Sequence, residues 1–163
     1  MKAFLLLLAR NRLALAGGIV LSAVVLLALV TPLLPLQAPN VTNTDDRFQP
    51  PFSEGHLLGT DHLGRDVLSR LLHGSRISLF VGFATVMLAG AFGVMMGLIS
   101  GYAGGRVDQF ITAVTDINVA FPGLLLALLI LAVIGPSMVT VIVVLALNGW
   151  MVYTRITRSV VMG

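Results

Sequence analysis

Cysteine is absent from this chain, which excludes disulfides, thiolate metal sites, iron–sulfur clusters and cysteine nucleophiles. Lysine occurs once, at Lys2, and the phosphate-gripping pattern G-x-x-x-x-G-K-[ST] is missing with it. Neither G-x-S-x-G nor H-E-x-x-H occurs, and these gaps argue against a self-contained catalyst. Charge is scarce too: 10% of the 163 residues carry it, where a soluble domain has roughly a quarter. What fills the chain is apolar, 57% of it. The net charge is +3, yet the ten basic residues lie scattered between long apolar runs and offer no continuous face to a phosphate backbone. A nucleic-acid partner is therefore not expected.

The uncharged runs set the architecture. Between Arg12 and Asp45 the apolar stretch 13–34 has 22 residues, about 33 Å as helix, which matches a bilayer core. The early Leu5–Leu8 run is cut off by Arg10 and Arg12, and Gln37-Ala38-Pro39 is a poor cleavage site, so this segment is expected as a retained anchor. A second run between Arg76 and Arg106 predicts a helix over 77–102. The third, Ile117 to Thr154, would be about 57 Å long as one helix, so it must fold back, and Gly135-Pro136-Ser137 is the break. The expectation is an all-α integral membrane protein with four transmembrane helices, 13–34, 77–102, about 110–134 and 138–154. Positive residues are retained inside. With residues 1–12 inside, the inner segments hold Lys2, Arg10, Arg12, Arg106, Arg155 and Arg158, against Arg47, Arg65, Arg70 and Arg76 in the outer segment 35–76. Six against four favours a cytoplasmic N-terminus.

Residues 31–55 hold five of the seven prolines and read as an irregular linker. Beyond it, Leu63, Val67, Leu68, Leu71 and Leu72 form a helical stripe, with Thr60 or Asp61 as cap and Gly74 as stop. This predicts an amphipathic surface helix over 61–73, with Asp66 and Arg70 four apart on its polar side. His56, His62 and His73 with Asp61 could suggest a metal site. Their spacings of six and eleven do not put two imidazoles on one helical face, so no metal site is expected.

Gly93, Gly97 and Gly101 stand four apart, with Ala89 one step earlier. In lipid such a stripe lets another backbone approach closely, from the same chain or from a neighbouring subunit. If the third and fourth spans form a hairpin about Pro136, Asp116 comes level with Arg155, which predicts an ion pair near the inner interface; the alternative is that Asp116 reaches headgroup water. Tyr102, Trp150 and Tyr153 fit an inner aromatic belt. No pair of carboxylates lies within a span, which counts against a proton-driven carrier.

The run from His56 to Leu79, with Gly59, Thr60, Asp61, Gly64, Arg65 and Asp66 at its heart, resembles the second permease subunit of the dipeptide, oligopeptide and nickel class of ABC importers. Gly101 through Asp108, Asp116 through Pro122 and Trp150 through Arg158 extend the resemblance to nearly the whole chain. The resemblance implies a type I importer. A heterodimer of sister permeases forms the path for a peptide, or for nickel. Two cytoplasmic ATPases hold the ATP and magnesium, and an external solute-binding protein delivers the cargo. On this reading the chain binds no cofactor, is not an enzyme, and lies in the inner membrane of a bacterium or archaeon. Two departures stand out. Ala113 occupies a position where the family usually has arginine, so Arg155 becomes the partner to consider for Asp116. The family's Glu-Ala-Ala coupling loop is not found before Gly163, so the chain is expected to be an incomplete permease, a fragment lacking the coupling element. A non-transporting membrane scaffold, assembling through the glycine stripe, is the competing reading.

Overall fold

A computed structural model describes residues 11–120 and 122–163. The counted positions Lys2 and Arg10 therefore lie outside the described residues, as does Phe121 within the 116–122 motif. Helix α1 runs Arg12–Val30, α2 Val67–Ala103, α3 Gly105–Ala120, α4 Gly123–Ile134 and α5 Met138–Met162. Among the described residues there is no strand, only isolated bridges pairing Ser53 with His56 and Thr60 with Asp66. The chain divides after Leu79 into two compact units. Three stretches are each long and apolar enough to cross a membrane: Arg12–Leu33, α2 and α5. Counting α3 and α4 as one bent span makes a fourth.

Helix α1 begins where Asn11 Oδ1 accepts the N–H groups of Leu13 (3.1 Å) and Ala14 (3.2 Å), an N-cap that satisfies two orphan donors. It ends in a 3-10 turn over Thr31–Leu33, where Pro32 lies in the first turn and needs no donor. Thr31 is buried and its hydroxyl donates back to the Leu27 carbonyl at 2.7 Å. Nearly all the apolar side chains of α1 are exposed, the pattern of a helix whose solvent is hydrocarbon. Residues 31–55 are more ordered than a spacer. They contain a second 3-10 turn, Thr44–Asp46, and part of the stretch is bonded to residues 57–61.

Several boundaries differ from the sequence expectation, two of them for plain physical reasons. The amphipathic helix 61–73 does not exist as a separate element: residues 61–66 form turns, the helix begins at Val67, and it continues through Gly74 to Ala103 without interruption. A lone glycine inside a helix costs only about 1 kcal/mol, too little to stop one that is apolar on its far side. Conversely, the expected helix 110–134 is two helices bent by 85° across a short break. Pro122 lacks a backbone donor and cannot continue a helix from the preceding turn. It sits at φ −62°, ψ 106° as the N-cap of α4. The turn at 135–137 is where the sequence placed it. Gly135 takes φ 95°, and Ser137 caps α5 by accepting the Thr140 N–H at 3.0 Å. Helix α5 runs eight residues past the expected end at 154.

Candidate functional site

In the N-terminal unit the motif residues build the start of α2. Asp66 Oδ2 accepts the Ser69 N–H at 2.7 Å, the bond of an N-cap to the third helical residue. Its Oδ1 faces His56 Nδ1 at 3.1 Å, and both side chains are buried. The cap is thus Asp66, not Thr60 or Asp61, and Asp66 does not pair with Arg70. Asp61 instead organises the turn that precedes it. Asp61 Oδ1 accepts the N–H groups of Leu63 (2.8 Å) and Arg65 (3.1 Å), and Oδ2 accepts Arg65 Nε at 2.8 Å and also Arg70 Nη1. Burial alone would raise its pKa. The Arg65 and Leu63 backbone donors, then the Arg65 guanidinium, outweigh that and hold the carboxyl well below its ordinary value of 3.8.

Thr60 Oγ1 accepts the Gln49 N–H at 2.9 Å and donates to the Asp46 carbonyl. The Thr60 N–H in turn bonds the Gln49 carbonyl at 3.2 Å. Gly64, at φ 70°, lies so close to the Asn43 backbone that no side chain fits, and at Gly59, at φ 74°, a Cβ would run into Gln49 and Pro50. The buried Ser69 hydroxyl reaches the Gln37 carbonyl at 2.6 Å. Residues 43–66 are therefore a knot of turns that ends in a helix cap. Of the three histidines, His56 meets Asp66, His73 Nδ1 lies 2.9 Å from its own helix at the Ser69 carbonyl, and His62 is exposed. Among the described residues no three metal-binding side chains gather.

In the C-terminal unit the glycine stripe lies against α5. A Cβ on Gly93 would stand 2.7 Å from Tyr153 Cβ, one on Gly97 2.6 Å from Thr157 Cβ, and one on Gly101 2.6 Å from Val161 Cγ1. The Ala89 methyl extends the seam to Gly149. Thr154, itself buried, donates across it to the Gly93 carbonyl at 3.1 Å. Trp150, expected in an aromatic belt, packs against a neighbouring helix. It is buried in the seam, edge-on to Phe92 with ring centres 5.1 Å apart, and it lines an apolar groove of about 200 Å³ with Leu88, Ala89, Val143, Ala146 and Leu147. Tyr153 packs beside Gly90 and Gly93, whereas Tyr102 is exposed.

Helix α3 meets α5 through two ion pairs. Arg155 Nη2 reaches Asp116 Oδ1 at 2.7 Å. Arg158 holds Asp108 with Nε on Oδ1 and with Nη2 on Oδ2 at 2.6 Å, while Ser100 of α2 donates to Asp108 Oδ1 at 2.5 Å. Asp108, Ser100 and Arg158 were not singled out by sequence reasoning. The available signal was arithmetic: Asp108 and Asp116 are the only acids after Asp66, and Arg106, Arg155 and Arg158 the only bases after Arg76. The hairpin drawn about Pro136 brought Asp116 level with Arg155, as observed, but did not bring Asp108 to Arg158. The contacts shown in this seam are close packing, hydrogen bonds and ion pairs.

Two family models match. Residues 2–51 match the N-terminal TM domain of oligopeptide transport permease C, and residues 93–162 the binding-protein-dependent transport system inner membrane component. The chain is 40% identical over 152 residues to the dipeptide transport system permease protein of Alkalihalophilus pseudofirmus, covering 93% of this chain and 50% of that one. The chain belongs to the binding-protein-dependent transport permeases. It is also 40% identical over 158 residues to the dipeptide permease protein of Haemophilus influenzae, covering 94% and 54%. Against the oligopeptide permease protein of Bacillus subtilis it is 37% identical over 152 residues, covering 93% and 50%. This permease chain spans about half the length of the curated relatives it matches. Membership of that family, together with its apolar helices, makes it a multi-pass inner-membrane protein.

Proposed function

We propose that this chain supplies part of the translocation pathway of a peptide importer, energised by ATPase subunits that are separate chains. The observation that carries the reading is 40% identity over 93% of the chain to a dipeptide transport permease. The chemistry agrees with it. The chain offers a closely packed helix seam and a capped outer turn, and its only lysine is not in a phosphate-binding loop. Helices that repack between two arrangements are what a permease contributes, since ATP-driven closure elsewhere can shift a population only if the two states differ in contacts. The chain performs no bond chemistry and binds no cofactor; ATP and magnesium sit on the ATPases.

Its partners are a sister permease, two cytoplasmic ATPases and an external solute-binding protein. Its place is the plasma membrane of a prokaryote with the N-terminus inside, supported by six inner against four outer basic residues. Affinity purification of the natural gene product in mild detergent tests the partnership. Recovery of a second permease and an ATPase in stoichiometric amounts is expected. Recovery of neither, with an unrelated membrane protein in their place, would contradict the reading and point to a scaffold.

A further inference from the structure

The two ion pairs that join α3 to α5 are unequal. Asp108 is gripped from several sides: by Ser100 Oγ at 2.5 Å, by Arg158 Nη2 at 2.6 Å and Nε, and through its own N–H by the Gly104 carbonyl at 3.1 Å. Its side chain is 14% exposed, and Ser100 is fully buried. Gly104, the one residue between α2 and α3, and Gly105, the first of α3, take left-handed φ values of 59° and 49°, which sets the path of the turn that delivers Asp108. Asp116 and Arg155 share one contact at 2.7 Å, and their side chains are 62% and 53% exposed. The two aspartates are eight residues apart on α3, about 12 Å along the helix.

An exposed single-contact ion pair contributes little to holding two elements together, whereas a shielded charge that loses its partner is costly. Helix α3 is therefore fastened firmly at Asp108 and more loosely toward its far end, where the exposed Asp116–Arg155 pair is joined, among the described residues, only by Asn118 Nδ2 donating to the Leu147 carbonyl at 3.2 Å. Just past the loose end the helix stops at Ala120, and Pro122 cannot continue it. We propose that Asp108 is a positioning residue which, with Ser100 and Arg158, pins the first turn of α3 to α2 and α5, and that α3 pivots on this pin while Asp116–Arg155 acts as a releasable catch. The pivot rests on the transport reading for its purpose and on the contacts above for its existence.

The chain has no cysteine, so spin labels can be placed without altering a parent residue of that type. Exposed sites are available at both ends: Val107→Cys with Met162→Cys beside the pin, and Ile117→Cys with Val152→Cys beside the catch. Pulsed electron-resonance distances on the whole chain in lipid nanodiscs should show one narrow distribution for the first pair and two populations for the second. Asp116→Asn should raise the longer-distance population of the second pair several-fold and leave the first pair and the melting temperature unchanged. Asp108→Asn, or the milder Arg158→Lys that keeps the charge but loses the two-pronged grip, should broaden the first pair. A single narrow distribution for the second pair that Asp116→Asn does not alter would overturn the catch. A first pair as narrow in Arg158→Lys as in the parent would overturn the pin. These distances do not require transport: a chain that pivots as described yet supports no peptide uptake would remove the transport role and leave the pin and catch standing.

Discussion

Asp61 shows how much one carboxylate can organise when its acceptor sites are all used. Four donors converge on it, from Leu63, Arg65 and Arg70, and they shape the turn that delivers Asp66 to the start of α2. Its pKa is depressed on folding, so the group stabilises the fold fully above the unfolded value of 3.8, and the contribution is lost as pH falls below that value toward the folded one. Asp61→Asn should therefore lower the melting temperature of the chain in detergent equally at pH 7 and pH 5, with the difference shrinking at pH 3. A difference that already vanishes at pH 5 would contradict the assignment. The importance of Gly59, Asp61, Gly64 and Asp66 was legible in the sequence as a motif, but their roles were not. A helical stripe through Leu63 and Val67 looks the same whether the helix begins at 61 or at 67. What decides is that Asp66 has a donor three residues on, at Ser69, and a histidine ten residues back, and only the second of these is a long-range fact.

At the scale of elements, the α2–α5 seam converts a four-residue spacing into a close approach of two backbones. Hydrophobic burial does little between helices in lipid, so the gain comes from dispersion along the glycines and from the Thr154 hydrogen bond. Gly97→Leu should separate the helices and cost about 1–3 kcal/mol or more through overpacking. Gly82→Leu, on the same helix with nothing within 4 Å, should be silent or slightly stabilising. Thermal unfolding in detergent checks both. Equal effects at the two glycines would mean that helix propensity, not the seam, decides. The stripe was readable because period four is local, and the sequence left open whether its partner lay in this chain. The break at Pro122 was passed over in favour of Gly135-Pro136-Ser137, since a single proline bends some helices and ends others. Trp150 looked like a belt residue because its type fits an interface; its burial against Phe92 depends on which way α5 is turned, which composition does not report.

At the scale of the whole molecule, the apolar runs, their number and the bias of basic residues were visible at once, because a bilayer demands about 20 uncharged residues per helical crossing. The seam and the ion pairs, in contrast, depend on rotation and tilt. The role proposed for these helices is part of a path for peptides, and uptake of a radiolabelled dipeptide by cells measures it most directly. Deleting the gene should abolish uptake of the peptide by this route, and restoring the gene as the cell naturally expresses it should return it, while a version carrying Gly97→Leu should not. Unchanged dipeptide accumulation in the deletion strain, with every other peptide uptake route also removed, would contradict the account.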